Sequence, residues 1–391
     1  MATNQRENLR KEKKQKKQHK ITVAFWCVVL VVILALIVMK VCEIDFSTIK
    51  DKISGNSNIS SAVSDENKFP YSLDNSDNVV LSNLGNNIFA VSQTSIVSVN
   101  SSNGKKSFSD DHGYANPILK TRGSYALVFD QGSNKYRLDS GDGNIYTDTV
   151  QNSILTGDVS GTGTVALVTT SSDSLSQILV YSKSLNEKFN YPVSSGYVTA
   201  VAVDESARRV AFAVVNSKDA KLQTVVYTMN IGDSEPKAQF EYEGSSVINI
   251  RFLSSNLYVV GSDFISVITS MKNEVKVFEQ GSVKINSYTY NSSENLVVAY
   301  TAYDGESGNT LALVSSSGKI KHTVETNVDV KDITASSSDV AALTDSSVIV
   351  YNFSKGEIKI QYSVDDSYSS ILQISSKIFA KHRSYIELLT E

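Results

Sequence analysis

The feature that most constrains this chain is a repeat. Short apolar runs, cut by turns rich in Ser, Asn and Gly, recur in units that start near residues 78, 117, 154, 197, 247, 285, 330 and 369. Each unit holds about four runs of five to eight residues, alternating or wholly apolar, as strands are when one or both faces are buried. The stretch "SSSDVAALTDSSVIVYNFSKGEIKI", Ser336 to Ile360, is a sample: three Val-, Ala- and Ile-rich runs, Ser-rich turns and one Lys-Gly. Four strands per roughly 40 residues is the period of a β-propeller blade. One such sheet cannot bury both faces, but a ring of them can, each blade packing on its neighbours.

Two hairpins recur within the units. The first has small polar residues at its turn and small apolar residues after it, as in "VSGTGTVALV" from Val159, "DESARRVAFAV" from Asp204 and "ASSSDVAAL" from Ala335. The second often carries a turn Gly, as in "LVSSSGKIKHT" from Leu313 and "VYNFSKGEIKI" from Val350. Gly takes positive φ without steric cost. With four prolines in 391 residues, Ser, Asn, Asp and Gly must supply most turns.

The last unit, 369–391, has room for three strands, and "KFPYSLD" at 68–74 is placed to supply the fourth. The predicted fold is therefore all-β: a propeller of eight four-stranded blades over 68–391, preceded by one transmembrane α-helix. Seven blades is the runner-up, should one weak unit be an insertion. A pair of β-sandwiches comes third, and the fixed period argues against it.

Ahead of the repeat, "ITVAFWCVVLVVILALIVM" (21–39) contains no charge. Nineteen helical residues rise about 28 Å, close to a bilayer's hydrocarbon thickness. Trp26 suits an interface and Lys40 can snorkel outward. The apolar run is longer than a secretory signal's, and "VMKVCEIDF" after it offers no A-x-A cleavage site. The predicted organisation is a basic cytoplasmic tail (1–20), an uncleaved membrane span in the lipid bilayer (21–42), a flexible polar spacer (43–67) and an extracytoplasmic propeller (68–391).

Charge agrees with that topology. Residues 1–20 carry eight Lys/Arg against two Glu, a charge of +6, which leaves −10 on the rest of a chain whose net charge is −4. A basic tip beside an apolar span is a positive-inside signal. An acidic body lacks the clustered basic face of a duplex-DNA reader, so no nucleic-acid partner is expected. Cys27 and Cys42 are the only cysteines and belong to the span region, about 22 Å apart on a helix, too far to bridge. A cysteine-free exported domain suits a bacterial envelope better than a eukaryotic cell surface.

The "VAL"-type hairpins resemble WD40-like propeller repeats, and hairpins such as "SSSGKIKHT" resemble the second half of quinoprotein (PQQ-like) repeats. The whole layout resembles bacterial proteins, mostly of Gram-positive clostridial type, with one membrane anchor and a PQQ-like propeller outside. The resemblance covers about 68–391 and implies the fold. It departs from both families in its motifs. No blade carries the Trp-Asp pair or the quinoprotein Trp, since the only Trp is Trp26, and vicinal cysteines are absent. No cofactor is expected.

Catalytic signatures are sparse. The sequence holds no H-E-x-x-H, C-x-x-C or G-x-x-x-x-G-K-[ST]. Four histidines occur: His19 in the basic tail, His112 in "SDDHGYANP", His322 in a strand-like run and His382 in "AKHRSY". "DSGDGNIYTD" (139–148) resembles a calcium loop, but its acids fall at offsets 1, 4 and 10 rather than at EF-hand positions; a Gly-rich hairpin is the simpler reading. No catalytic, cofactor or metal residues are assigned.

What the sequence offers instead is a face. In a propeller the loops joining strands two and three, and those joining blades, share one side. That side is expected to gather Asp110, Asp111, His112, Asp130, Asp173, Asp219, Glu243, Asp304, Glu306, His382 and Arg383, with "TSSDSLSQ", "NSKDAKLQ" and "AYDGESGNT" as its longest loops. Two readings of the face stand open: solvated loop tips, or an acidic recognition surface for a basic partner. The functional expectation is a non-enzymatic binding or scaffold module for an envelope protein or wall polymer. The alternatives are a hydrolase or quinone-type oxidoreductase with a central-channel site, and a sensor whose short basic tail needs a cytoplasmic partner.

Overall fold

The structure, a computed structural model, describes residues 68–73, 78–293, 295–302 and 307–390. The predicted tail, membrane span and spacer lie outside the described residues, as do Asp304 and Glu306. The strands form eight antiparallel four-stranded sheets. Blade one spans 80–111, blade two 117–149, blade three 154–193, blade four 197–243, blade five 247–278, blade six 284–325, blade seven 332–363 and blade eight 370–388. In blades one to seven the strands follow chain order, and in all eight the strand that opens the unit lines the central channel.

Blade eight takes its outer strand from the other end of the repeat. Tyr71–Ser72 pairs with Tyr385–Leu388, Tyr71 opposite Ile386 and Ser72 opposite Tyr385. The last unit thus supplies three strands and the segment before blade one supplies the fourth.

The core is eight seams rather than one centre. Each hydrophobic cluster joins two adjacent blades. The seam between blades three and four holds Val168, Val180, Val210, Phe212 and Val214. The next holds Ala211, Ala213, Phe252, Val259 and Phe264. Successive residues of Arg209–Lys218 therefore face opposite neighbours, Phe212 backward and Ala211 and Ala213 forward, because side chains alternate across a pleated strand. Such strands are buried on both faces, which is why runs such as Val165–Val168 carry no polar alternation. The ring closes where Val79, Ile88 and Ala90 of blade one meet Ile374, Phe379 and Ile386 of blade eight.

Turn serines have a defined task. The Ser160 hydroxyl accepts the N–H of Thr164 at 3.1 Å, the Ser315 hydroxyl that of Lys319 at 3.1 Å, and the Ser336 hydroxyl that of Asp339 at 3.0 Å. Asp204 and Asn291 do the same for Arg209 and Asn295. Side-chain acceptors close these turns in place of proline.

Candidate functional site

The described loop-face residues all sit at the ends of second or outer strands or in the loops that follow them, spread over several blades. Asp110 and Asp111 end the outer strand of blade one, and His112 begins the loop to blade two. Asp130 ends the second strand of blade two, where its Oδ1 accepts the N–H of Asn116 at 2.8 Å. His112 lies within the field of Asp111 and Asp130. Asp173 sits in the exposed loop between the second and third strands of blade three, Asp219 at the corresponding turn of blade four, and Glu243 at the end of that blade's outer strand. His382 and Arg383 occupy the equivalent loop of blade eight.

Both rim histidines serve their loops. Nε2 of His112 donates to the Ser92 carbonyl at 3.0 Å while Nδ1 accepts the N–H of Tyr114 at 2.9 Å. Burial pushes the His112 pKa below its ordinary value, against the Ser92 hydrogen bond. His382 stacks on Tyr385 at 4.3 Å, and its Nδ1 accepts the N–H of Ser384 at 3.4 Å. Neither histidine is among the residues lining the channel.

Asp110 is already paired, its Oδ2 lying 2.8 Å from Nη1 of Arg137. Arg137 in turn makes a two-pronged contact with Asp139, which is 0% exposed. Asn144 also donates to Asp139, at 2.9 Å. The stretch 139–148 is accordingly a hairpin whose first acid is held by an arginine. Among the described residues, no group of three or more His, Cys, Asp or Glu is arranged to hold a metal ion.

The channel is a second region, which loop reasoning missed. It encloses about 1510 Å³ and opens among the turns that join the first and second strands. Every inner strand is a sheet edge, with backbone groups that its own blade leaves unpaired. Neighbouring blades satisfy several of them. Asp158 accepts the Val203 N–H at 3.0 Å, Asp332 the Ile371 N–H at 3.0 Å, and the Thr334 hydroxyl the Gln373 N–H at 2.8 Å.

Charged groups concentrate on the wall formed by blades two to five. Arg122, the last residue of blade two's inner strand, is 5% exposed. Its Nε lies 2.5 Å from Glu205 of blade four, and its Nη2 donates to the carbonyl of Phe252 in blade five. Arg251 places its guanidinium 4.8 Å from the Tyr290 ring centre. Burial, then the Arg122 charge, push the Arg251 pKa down. Burial pushes the Asp158 carboxyl up, against Arg122 and the Val203 N–H. Burial likewise pushes Asp332 up to about 6, against the N–H groups of Ile371 and Ile333. The sequence signal was a charge inside an otherwise strand-like run at the start of a unit, as with Arg122 in Pro117–Arg122 and Arg251 in Val247–Leu253.

This geometry can orient and bind a polar ligand. Neither rim histidine reaches the channel, since both are engaged in their loops; within the wall, the Lys381 ammonium donates to the Ser369 hydroxyl at 3.1 Å.

Residues 61–387 match the family described as "Family of unknown function (DUF5711)". The chain belongs to that family. No curated protein matches it. Among solved structures, this DUF5711 chain is similar to the computationally designed Ika8 protein, with 11% identity and a TM-score of 0.57 over 81% of this chain and 98% of that one. It is similar to BamB from Moraxella catarrhalis, with 12% identity and a TM-score of 0.52 over 83% and 99%. The C-terminal WD40 domain of Sif2 gives 11% identity and a TM-score of 0.57 over 83% and 99%. At such identities the likeness concerns the fold alone: a β-propeller similar to WD40 and BamB-like propellers.

Proposed function

We propose that this DUF5711 protein is a membrane-tethered, extracytoplasmic, non-enzymatic binding module that recruits an envelope protein or wall polymer. In this reading residues 21–42 anchor the chain, residues 1–20 stay in the cytoplasm, and the spacer 43–67 lets the propeller range over the outer surface. A Gram-positive bacterial envelope is its setting.

One observation carries the preference for binding over chemistry. His112 engages both ring nitrogens and His382 its Nδ1 with loop backbone, both stand outside the channel, and Asp158 and Asp332 in the channel accept N–H groups of neighbouring strands. A hydrolase or oxidoreductase needs a base and an acid converging on one substrate position. A rigid ring that displays exposed Asp173, Asp219 and Glu243 on one rim fits recognition of a basic partner surface better.

The test is crosslinking in intact cells of the producing organism, then affinity capture through the propeller and mass spectrometry. Enrichment of one envelope protein or one wall fragment is expected. Recovery of neighbours only in proportion to their abundance would refute the recruitment reading.

A further inference from the structure

The two arginines of the channel wall are placed as no purely structural pair need be. Arg122 uses Nε on Glu205 and Nη2 on the Phe252 carbonyl, and its Nη1 is buried with no hydrogen-bond partner. Arg251 leaves its Nε in the same condition. Among the described residues, Arg251's one ring contact is Tyr290, and no carboxylate pairs with it at ion-pair distance. Its guanidinium lies within the field of Arg122, like charge facing like charge.

We propose that Arg122 and Arg251 form a site in the channel for the phosphate or carboxylate group of a small anionic ligand.

The chemistry follows from the donors. A guanidinium presents planar, forked N–H groups that match the paired oxygens of a carboxylate or phosphate. Buried donors without acceptors are costly, and a ligand oxyanion would supply the kind of acceptor that Arg122 Nη1 and Arg251 Nε lack. Arg251 Cζ lies 4.8 Å from the Tyr290 ring centre, a cation–π contact that uses none of the guanidinium's N–H groups as a hydrogen-bond donor to a carboxylate. The charge balance points the same way. Lys120, Arg122, Arg251 and Lys381 line the channel against Asp158, Glu205 and Asp332; Glu205 is already taken by Arg122, and Asp332 accepts the N–H of Ile371. Asp158 has one oxygen on the Val203 N–H. A channel of about 1510 Å³ has room for the rest of a small molecule beside the anionic group.

The site does not depend on the tethered-module reading. It can fail while partner capture succeeds, and the reverse.

The experiment is calorimetric titration of the full-length chain in detergent with inorganic phosphate and, separately, with succinate, at ionic strength held constant with chloride. Saturable binding of at least one is expected. Phosphate alone assigns a phosphate-bearing ligand, and succinate alone a carboxylate-bearing one. Arg251→Gln should weaken binding about tenfold or more, and Lys120→Gln about threefold, since a lysine acts here as a point charge. Asp158→Asn should tighten binding by removing a competing negative charge. Should Arg251→Gln not fold, the opposite signs at Lys120 and Asp158 carry the test. No saturable heat with either anion, or affinities that ignore the Lys120 and Asp158 substitutions, would overturn the proposal.

Discussion

Asp332 of blade seven accepts the backbone N–H of Ile371 of blade eight at 3.0 Å, across a separation of 39 residues, one repeat. The same carboxylate accepts the N–H of Ile333 at 2.9 Å. It thereby ties two inner edge strands together at the channel wall.

The burial of that carboxyl, which outweighs its two N–H bonds, predicts a pH dependence. Burial holds the Asp332 pKa up at about 6, above the ordinary carboxylate value of 3.8. The folded chain therefore keeps a proton that the unfolded chain has already released. Its contribution to stability is full below about pH 4 and is lost as pH rises through about 6. The shift corresponds to roughly 2–3 kcal/mol, and solvent in the channel reduces this to about 1–2 kcal/mol. Asp332→Asn should flatten the pH profile of urea unfolding between pH 4 and 7 by that amount. Parallel profiles for the two proteins would refute the assignment.

The architecture was legible because the physics of a blade is written at short range. Period-2 burial, turn serines and a four-strand repeat are local features. Units expected at 117, 154, 197 and 247 begin where the inner strands Pro117–Arg122, Ile154–Val159, Tyr197–Val203 and Val247–Leu253 begin. The channel cluster was not legible. Arg122 and the Phe252 carbonyl it reaches are 130 residues apart, and their meeting depends on ring closure, which no local pattern encodes. A charged residue in an inner strand was nevertheless a signal, since buried charges are rare and need a partner. Attention to loops, where functional residues usually lie, led away from it.

Closure of the ring predicts an unequal effect of two truncations. Removing residues 1–67 leaves Tyr71–Ser72 paired with blade eight. Removing 1–73 strips that strand and also Phe69, whose ring lies 4.9 Å from Phe379 in the closing seam. The exposed edge of Tyr385–Leu388 then becomes a template for association. The shorter chain should melt about 5 °C or more below the longer one and aggregate on heating. Equal melting midpoints by scanning calorimetry would show that the added strand does not hold the ring shut.

Gly196, between blades three and four, predicts a local intolerance. Its φ is +76°, and a Cβ there would lie 2.6 Å from both Val214 Cγ1 and the Val215 carbonyl oxygen. Gly196→Ala combines a left-handed backbone with overpacking against strand backbone, a cost of about 2–4 kcal/mol. Gly232→Ala, with φ +98° and nothing within 4 Å of the new Cβ, carries only the backbone part. Denaturant midpoints should therefore rank wild type, then Gly232→Ala, then Gly196→Ala. The reverse order of the two variants would remove the steric argument.

The rim supplies the prediction that bears most directly on recruitment. Asp173, Asp219 and Glu243 are exposed and stand in different loops of blades three and four. Asp219 has a φ of +53°, a conformation that asparagine tolerates well. Asp173→Asn, Asp219→Asn and Glu243→Gln together should therefore shift stability by less than about 1 kcal/mol. If the acidic rim recognises a basic surface, the triple variant should lower capture of the crosslinked partner about fivefold or more. Raising salt should weaken capture by the wild type more than by the variant, because screening acts on the charges the variant lacks. Unchanged capture by a stably folded triple variant would mean that these acids only keep their loops in water, and recognition would have to be sought at another surface of the propeller.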